Sequence, residues 1–455
     1  MNVLVISAIL GVIMLFSGVL LKQAAYLRII AVVGMAGLFI VNILEISGVS
    51  FFKIGTAGML GFDRFALLFN AVMLFSTLVY FVLSARDMEK VGIHYGEYFA
   101  LIFFIICGVV LVASFKSLLI LFLGIEIISI PLYILTGSDK KNLRSNEASL
   151  KYFLMGAFST GLMLMGIALI YGATGTFNSV EMNFGADKPA LLTVAGMLLL
   201  LFSMAFKVSA APFHFWTPDV YDGAPTVFTS FMATIVKAAI FIGFIRLFDE
   251  AFGSFNKQWQ TWIAVITVLT LFIGNITAVF QQSVKRMLAY SSIAQAGFML
   301  LAIYAMNSDA KEGILLYAAA YCLATIGIFA VLAKMSDYSF EGFNGMAKQQ
   351  PMIALLMTIF FLSLAGIPLT AGFLAKFYML KAALISGSLW VVIFAVLMAA
   401  VSVWYYFRVI QAMYFKEGQA TVQVSPFFKW TLAVLAAAVV LLGLFPNLLL
   451  YWYYF

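Results

Sequence analysis

The segment KSLLILFLGIEIISIPLYIL, residues 116–135, indicates the fold class. After Lys116 it contains a single charged residue, Glu126, among apolar and small polar side chains. About 20 such residues in a helix cross the hydrocarbon core of a bilayer. Similar apolar runs recur along the whole chain, so the sequence predicts an all-α polytopic membrane protein.

The composition of the 455-residue chain favours this class and excludes others. Hydrophobic residues make up 64% of the sequence, charged residues make up 10%, and the mean hydropathy is +1.08. A soluble chain carries about 25% charged residues, and the strands of a membrane β-barrel alternate apolar with polar residues. The formal net charge of +7 is interpreted as membrane topology and not as nucleic-acid binding.

Apolar runs bounded by charges, glycine, proline and asparagine predict fourteen transmembrane helices. They are expected near residues 3–21, 27–46, 62–84, 98–113, 117–136, 149–172, 190–211, 224–248, 259–281, 285–305, 312–334, 351–380, 388–415 and 427–453. No polar stretch between them is long enough for a soluble domain. We expect an N-terminal three-helix segment (1–97), two five-helix blocks (98–248 and 259–415) and a C-terminal helix (416–455).

The basic residues predict the orientation in the membrane. Fifteen lysines and arginines, including Lys22 and Lys285, are assigned to loops after odd-numbered helices. Only eight, including Lys188 and Arg246, are assigned to loops after even-numbered helices. Because the side richer in basic residues is cytoplasmic, both termini are expected to face the periplasm.

Four charged residues lie inside predicted helices: Glu126, Lys207, Lys237 and Lys376. A charge near the bilayer centre costs about 3 kcal/mol or more, so a purely structural protein would rarely contain four. A structural ion pair between Glu126 and one lysine is an alternative, but it leaves two lysines unpaired. Since burial disfavours the charged form of lysine, at least one is expected to exchange its proton, as in a proton relay.

Two of these lysines lie near expected helix breaks. Lys207 precedes Pro212 in FKVSAAPFHFWTPDVYDGAPT, and Lys376 follows Pro368 in LSLAGIPLTAGFLAKFYML. Proline inside a helix removes a backbone hydrogen bond and crowds the preceding turn. Broken helices at membrane depth line buried or water-filled cavities, where transporters place ion sites. The alternative is an ordinary kink with a lysine that reaches outward to the membrane interface.

The two five-helix blocks are predicted to be repeats. An offset of 169 residues takes Lys207 to Lys376 and Glu126 to Gln295. Because each block has an odd number of helices, the second copy is expected to be inverted across the membrane. One half then has a carboxylate where the other has an amide, so the two halves are expected to be chemically unequal.

Three further polar residues are secondary candidates. Gln295 and Tyr406 occupy the repeat positions of Glu126 and Lys237. His214 lies beside the first break, where it can either shuttle a proton at neutral pH or cap the broken helix.

The sequence contains no motif for a bound cofactor or metal. Cys107 and Cys322 each lie in an apolar run without CxxC or histidine-rich spacing, so no disulfide, metal site or iron–sulfur cluster is predicted. Glycine-rich phosphate loops, paired catalytic carboxylates and nucleophile elbows are also absent from the sequence. Redox chemistry is therefore expected only in partner proteins.

Three stretches of the sequence resemble a known family. They are FKVSAAPFHFWTPDVYDGAPT, VKRMLAYSSIAQAGFMLL and LSLAGIPLTAGFLAKFYMLKAAL. They are similar to characteristic segments of the antiporter-like subunits of respiratory complex I, most closely its N subunits, which include mitochondrial subunit 2. The likeness extends over the fourteen-helix layout from end to end. The mitochondrial form lacks the first three helices, so their presence here resembles the bacterial members.

This resemblance implies roles for the buried charges. Glu126 corresponds to the family's fifth-helix glutamate, and Lys207 corresponds to the lysine of the broken seventh helix. Lys237 corresponds to the central lysine of the eighth helix, and Lys376 to the lysine of the broken twelfth helix. Gln295 stands where the family often has histidine, so the resemblance does not imply an obligatory relay at that position.

The resemblance also implies a function. The expected protein is a proton-translocating membrane-arm subunit of NADH:quinone oxidoreductase in the bacterial inner membrane. Its partners are the other membrane-arm subunits, namely a neighbouring antiporter-like subunit and small membrane subunits, in a hetero-oligomer. NADH, FMN, iron–sulfur clusters and a quinone are expected to bind to other subunits of that complex.

Two alternatives stay open from the sequence. A stand-alone cation/proton antiporter of the multisubunit type would need several oxygen ligands for its cation, and Glu126 is the single buried carboxylate that the sequence predicts. A purely structural spacer would not need four charges at membrane depth.

Overall fold

The computed structural model describes residues 1–21, 23–182 and 191–454, without the side chains of residues 254, 256 and 257. Within these ranges every regular element is helical, and β pairing is limited to isolated bridges. The all-α prediction is therefore confirmed. Lys22, Lys188 and residue 190, the predicted start of the seventh helix, lie outside the described residues.

We label the longer helices in chain order and count the helix that contains two π-helical turns once. Their bounds are α1 Asn2–Leu20, α2 Ala24–Ile46, α3 Arg64–Met88, α4 Tyr95–Ser114, α5 Leu118–Thr136, α6 Leu143–Thr174, α7 Leu191–Lys207, α8 Trp216–Gly223, α9 Thr226–Ala251, α10 Asn256–Val279, α11 Val284–Ala305, α12 Ser308–Leu332, α13 Pro351–Ala365, α14 Ala371–Ile385, α15 Leu389–Phe415, α16 Pro426–Leu444 and α17 Asn447–Tyr454. Short helical segments at Gly253–Phe255, Glu341–Phe343 and Met346–Gln349 carry no label.

Twelve of the described helices are long and apolar enough to cross a membrane: α1 to α6, α9 to α12, α15 and α16. The two other predicted crossings are the helices expected to be broken. Each is divided into two pieces, α7 with α8 and α13 with α14, and α7 and α13 are apolar but shorter. The breaks therefore lie where the prolines predict them, and the count of fourteen crossings stays a prediction.

Two helices form the centre of the bundle. Both α9 and α12 are buried over the whole of their most apolar stretch, whereas α1 and α2 bury only 22% of theirs. Around α12 pack α3, α9, α11, α13, α14 and α16. The outer helices expose large apolar side chains, such as Phe16 and Val19 on α1, as expected for faces that meet lipid.

Polar residues immediately before several helices determine where those helices begin. At an N-cap, a side-chain oxygen accepts a hydrogen bond from a backbone N–H that has no partner inside the helix. The N-caps of this kind are Asp63, Ser117, Asn142, Asn307 and Ser425.

Candidate functional site

Glu126 and Lys207 form a pair between α5 and the end of α7. Lys207 Nζ lies 3.9 Å from Glu126 Oε1, which is within ion-pair range but too long for a hydrogen bond. Thr160 on α6 connects the two groups, because its hydroxyl donates to Glu126 Oε1 at 2.8 Å and accepts from Lys207 Nζ at 3.4 Å. Lys207 Nζ also donates to Ser129 Oγ at 3.0 Å. The ammonium is therefore held mainly by hydroxyl groups.

The position of Lys207 follows from the first helix break. α7 ends at Lys207, Ser209 adopts a left-handed conformation with φ of 64°, and Pro212 lies within the interruption before α8. Neighbouring groups satisfy the backbone of this segment. Ala211 N donates to Thr270 Oγ1 at 2.9 Å, and Trp216 Nε1 donates to the carbonyl of Phe206 at 3.2 Å. Such compensation lets a non-helical backbone persist at membrane depth.

Lys237 lies in the middle of α9 and is only 2% exposed. A π-helical turn, Met232–Val236, immediately precedes it; such turns insert an extra residue into a helix and occur often at functional sites. Its Nζ donates to the hydroxyl of Ser292 at 2.9 Å and to the backbone carbonyl of Ser292 at 3.1 Å, and it lies 5.6 Å from the centre of the Tyr221 ring. Lys237 therefore binds neutral oxygens and an aromatic face.

Lys376 lies on α14 beside the second break, and it is 5% exposed. Its Nζ donates to the carbonyls of Leu364 and Ala365 at 2.8 and 3.0 Å. These carbonyls belong to the last turn of α13, where helix carbonyls lack partners inside the helix. The ammonium lies inside the protein, so the alternative of a lysine that reaches outward to the membrane interface does not describe this side chain. Pro368 lies in the interruption between α13 and α14.

Gln295 on α11 joins Lys376 to a cluster of hydroxyl groups. Its Nε2 donates to the carbonyl of Leu364 at 3.0 Å, and that carbonyl also accepts from Lys376. The same Nε2 donates to the Tyr406 hydroxyl at 3.1 Å, and the Tyr317 hydroxyl donates to Gln295 Oε1. Tyr317 is not among the residues predicted from the sequence. Gln295 and Tyr406 are therefore in direct contact.

The four charged residues thus belong to three local clusters. Within the described ranges, no ion pair or hydrogen bond connects Lys237 directly with Lys207 or with Lys376. The cluster around Lys237 and the one around Lys376 approach each other on α11. Ser292 contacts Lys237, and the hydroxyl of the preceding residue, Ser291, lies 2.5 Å from that of Tyr406, which belongs to the Lys376 cluster. A proton could pass from one cluster to another only through water or after side-chain movement.

His214 lies in the first helix break and contacts none of these clusters. It is buried, its ring packs 4.5 Å from that of Phe215, and its Nδ1 has no hydrogen-bond partner among the described residues. Its role as a proton shuttle or as a cap therefore stays a prediction.

Two basic residues differ from their predicted loop positions. Lys285 is buried in the first turn of α11, and Arg246 is buried within α9. Arg246 donates to the carbonyls of Ala113 and Phe115 at the end of α4 and pairs with Asp63 at 2.7 Å. Lys285 donates in the same way to backbone carbonyls at the end of α8. Both lie close to predicted loops, so a count of basic residues by loop could not distinguish them from solvated charges.

No group of three or more metal-ligating side chains occurs in the part of the chain that the structure describes. Cys107 and Cys322 are both buried and free, and Cys107 Sγ lies 3.0 Å from the hydroxyl of Ser7.

Comparison with known proteins agrees with this geometry. A family model described as the membrane region of NADH:quinone oxidoreductase and Mrp antiporters matches residues 115–402. A chain of respiratory complex I from Thermus thermophilus is 31% identical, has a TM-score of 0.85, and is matched over 98% of both chains. A chain of the Mrp complex from Dietzia sp. has a TM-score of 0.87 at 18% identity, with 99% of this chain and 95% of that chain covered, so it shows the shared fold alone. The fold and the buried charges thus define the class of antiporter-like membrane subunits.

A curated relative resolves the family further. NADH-quinone oxidoreductase subunit N of Cytophaga hutchinsonii is 40% identical, and the alignment covers 99% of each chain. The chain belongs to the NADH-quinone oxidoreductase subunit N family, a family of multi-pass subunits in the membrane arm of complex I. The resemblance stated from the three sequence stretches is confirmed.

Proposed function

We propose that Glu126, Lys207, Lys237 and Lys376 move protons through this subunit N. The chain is a proton-translocating membrane-arm subunit of NADH:quinone oxidoreductase; the proposal concerns the residues and their order. One observation supports it above the others. The buried ammonium groups of Lys237 and Lys376 bind carbonyl and hydroxyl oxygens, and no carboxylate lies within ion-pair distance of either among the described residues.

Neutral partners matter because they stabilise either protonation state of a lysine. A hydroxyl can accept from an ammonium and donate to an amine, and a carbonyl can accept from the N–H groups of either form. A carboxylate at contact distance would strongly favour the ammonium and would oppose release of its proton. The partners of Lys237 and Lys376 thus suit residues that gain and lose protons in each cycle.

The pair of Glu126 and Lys207 is suited to start the cycle. At 3.9 Å the carboxylate stabilises the ammonium of Lys207, and Thr160 holds both groups. If quinone reduction elsewhere in the complex moves Glu126 away, burial favours the neutral amine, and Lys207 releases its proton toward Lys237.

The second half of the path is chemically different. Gln295 binds Tyr406, Tyr317 and the Leu364 carbonyl, so its amide can orient water and hydroxyl groups, but it does not titrate. Lys376 is then the titrating residue of this half. The two inverted five-helix blocks, 98–248 and 259–415, remain part of the proposal, as do the flanking segments 1–97 and 416–455.

The redox chemistry takes place outside this chain. Complex I carries its cofactors in other subunits, and the partners of this chain are the other subunits of the membrane arm. NADH, FMN, iron–sulfur clusters and quinone therefore act on this subunit through conformational or electrostatic coupling. We also propose that both termini face the periplasm, because the loops after odd-numbered helices are richer in basic residues.

Replacement of the central lysine tests the proposal. In an assembled complex, Lys237→Ala is expected to lower NADH-driven proton translocation to near background, because no other titratable side chain in the middle of α9 can take the proton. The measurement is acidification or dye quenching in membrane vesicles. Lys381→Ala removes an exposed lysine that pairs with Asp309 and serves as the control. Parent-like pumping by the Lys237→Ala complex would refute the proposed path.

A further inference from the structure

Lys285 is a further buried charge, and the path described so far does not use it. It is 3% exposed, and its Nζ donates to the carbonyls of Asp222 and Ala224 at 2.8 and 2.7 Å. The ring of Tyr338 lies 5.4 Å from the same nitrogen. No carboxylate oxygen within the described ranges lies at ion-pair distance from Lys285. Its hydrogen-bond partners are therefore neutral oxygens, like those of Lys237 and Lys376.

The backbone segment that Lys285 binds also lines a polar surface groove of about 180 Å³, through Asp222 and Gly223. The groove is lined mainly by charged side chains, which are Arg144, Glu147, Lys151, Asp219, Asp222 and Arg286. Asp219 accepts from Lys151 and from Arg286, both at 3.0 Å. These residues lie at the start of α6, in α8 and at the start of α11. A charged surface groove of this kind is accessible to water.

Lys285 is also placed close to Lys237 by two shared elements. On α11, Ser292, the partner of Lys237, lies seven residues after Lys285, two helical turns and about 10 Å along the same face. On α8, Tyr221 faces Lys237, and the next residue, Asp222, offers its carbonyl to Lys285. Lys285 therefore binds a residue that lines the groove and shares α11 with Ser292, the partner of Lys237.

We infer that Lys285 exchanges protons between the water of this groove and Lys237. The inference rests on the proposed function and adds the side branch by which Lys237 reaches the surface. Lys285 would take a proton from water at the groove, and its neutral form would be restored by transfer along water and hydroxyl groups toward Lys237. The hydroxyl of Thr226, which donates to the Tyr338 hydroxyl at 2.9 Å, lies beside this route.

A purely structural role makes a different prediction. Lys285 donates hydrogen bonds to carbonyls at the end of α8, and its positive charge interacts favourably with the negative end of the α8 dipole. Arginine would do the same. Arginine keeps its proton under all physiological conditions. We therefore expect Lys285→Arg to assemble normally and to lower NADH-driven proton translocation about tenfold. Lys311→Arg, at an ion pair with Asp249, is the matched control and should pump like the parent.

A second measurement does not depend on changing a buried residue. Glu147 is exposed and lines the groove, whereas Leu143 is exposed on the same helix and does not. Cysteines at these positions, Glu147→Cys and Leu143→Cys, are labelled with a bulky uncharged maleimide, and each variant before labelling is its own reference. Labelling is expected to inhibit pumping severalfold for Glu147→Cys only.

The outcomes separate this inference from the proposed function. Parent-like pumping by an assembled Lys285→Arg complex, or by the labelled Glu147→Cys complex, would overturn the inference. If Lys285→Arg does not assemble, the labelling result decides. Lys237→Ala is measured in parallel. If Lys237→Ala loses pumping while Lys285→Arg pumps normally, the branch through Lys285 is refuted and the proposed function stands. If Lys237→Ala pumps normally, the proposed function itself is refuted.

Discussion

At the scale of single residues, the hydrogen-bond and ion-pair partners of the buried lysines distinguish their proposed roles, which burial alone does not. Lys237 and Lys376 donate to uncharged oxygens, while Lys207 has Glu126 at 3.9 Å. A buried charge with no counter-ion is costly, and hydrogen bonds from neutral dipoles offset part of that cost without fixing the protonation state. The three lysines are therefore suited to different steps, and Lys207 is the one that a carboxylate controls.

This difference predicts unequal effects at the two repeat positions. Glu126→Gln removes the group that controls Lys207, so we expect proton translocation to fall at least tenfold. Gln295→Ala removes an amide that orients Tyr406 and the Leu364 carbonyl, so a smaller loss of about twofold to threefold is expected. Initial rates of proton translocation in vesicles with matched complex content make the comparison. Equal losses in the two variants would indicate that both positions serve packing.

Lys376→Arg separates charge from proton exchange. Arginine can donate to the carbonyls of Leu364 and Ala365 and keeps the positive charge, but it does not release a proton at neutral pH. We expect the assembled variant to lose most of its proton translocation across neutral pH. Pumping at the parent rate would mean that Lys376 does not titrate and that the proton leaves by another residue.

The sequence identified these residues because each charge interrupts a long apolar run. It did not identify Ser292, since a serine in a membrane helix gives no signal without its partner Lys237. Nor did it distinguish Lys285 and Arg246 from loop residues, because both lie at predicted helix ends while the fold buries them. Burial at a helix end depends on which other helix packs there, and a single sequence does not contain that information.

At the scale of elements, Gly366 contributes to the geometry of the second break. Gly366 ends α13 with φ of 82°, and a Cβ at this position would lie 2.9 Å from Cδ of Lys376. Gly387, between α14 and α15, has φ of 87° but open space around a Cβ. Both positions require a left-handed backbone, which costs a non-glycine residue about 1–2 kcal/mol. Only Gly366 also limits where Lys376 can lie.

We therefore expect Gly366→Ala to lower both stability and proton translocation, and Gly387→Ala to lower stability alone. The thermal denaturation midpoint of the purified complex and the pumping rate per assembled complex are the two measurements. If both variants pump equally well, the contact between Gly366 and Lys376 does not position the lysine.

The helix breaks were predictable to within a few residues, but their compensation was not. Pro212 and Pro368 indicated the interruptions, which the structure shows between α7 and α8 and between α13 and α14. The hydrogen bond from Ala211 N to Thr270, which comes from a distant helix, cannot be derived from local sequence. The π-helical turn before Lys237 was also missed, because its residues read as an ordinary apolar helix.

At the scale of the whole molecule, the distribution of basic residues predicts which loops face which side. Gly55, between α2 and α3, is expected to face the periplasm, and Gln419, between α15 and α16, to face the cytoplasm. Gly55→Cys should react with a membrane-impermeant maleimide in intact cells, and Gln419→Cys should react only in inverted vesicles. Both positions are exposed, and the two native cysteines are buried. The reverse pattern would invert the proposed orientation.

Composition and apolar runs were sufficient for the class of fold because lipid requires every spanning segment to satisfy its own backbone. They were not sufficient to predict which helices lie at the centre of the bundle and which lie outside. The central position of α9 and α12 follows from contacts with several helices, whereas their sequences are no more apolar than those of outer helices such as α1.

The π-helical turn at Met232–Val236 has a consequence for the comparison of related sequences. A surplus residue in one turn rotates everything that follows by about 100° relative to an uninterrupted α-helix. Residues before and after this turn on α9 therefore belong to different registers, and an alignment without a gap would equate side chains that point in different directions. A single-residue gap inside the turn would bring Lys237 of this chain into register with the corresponding lysine of a relative whose helix is regular at this point.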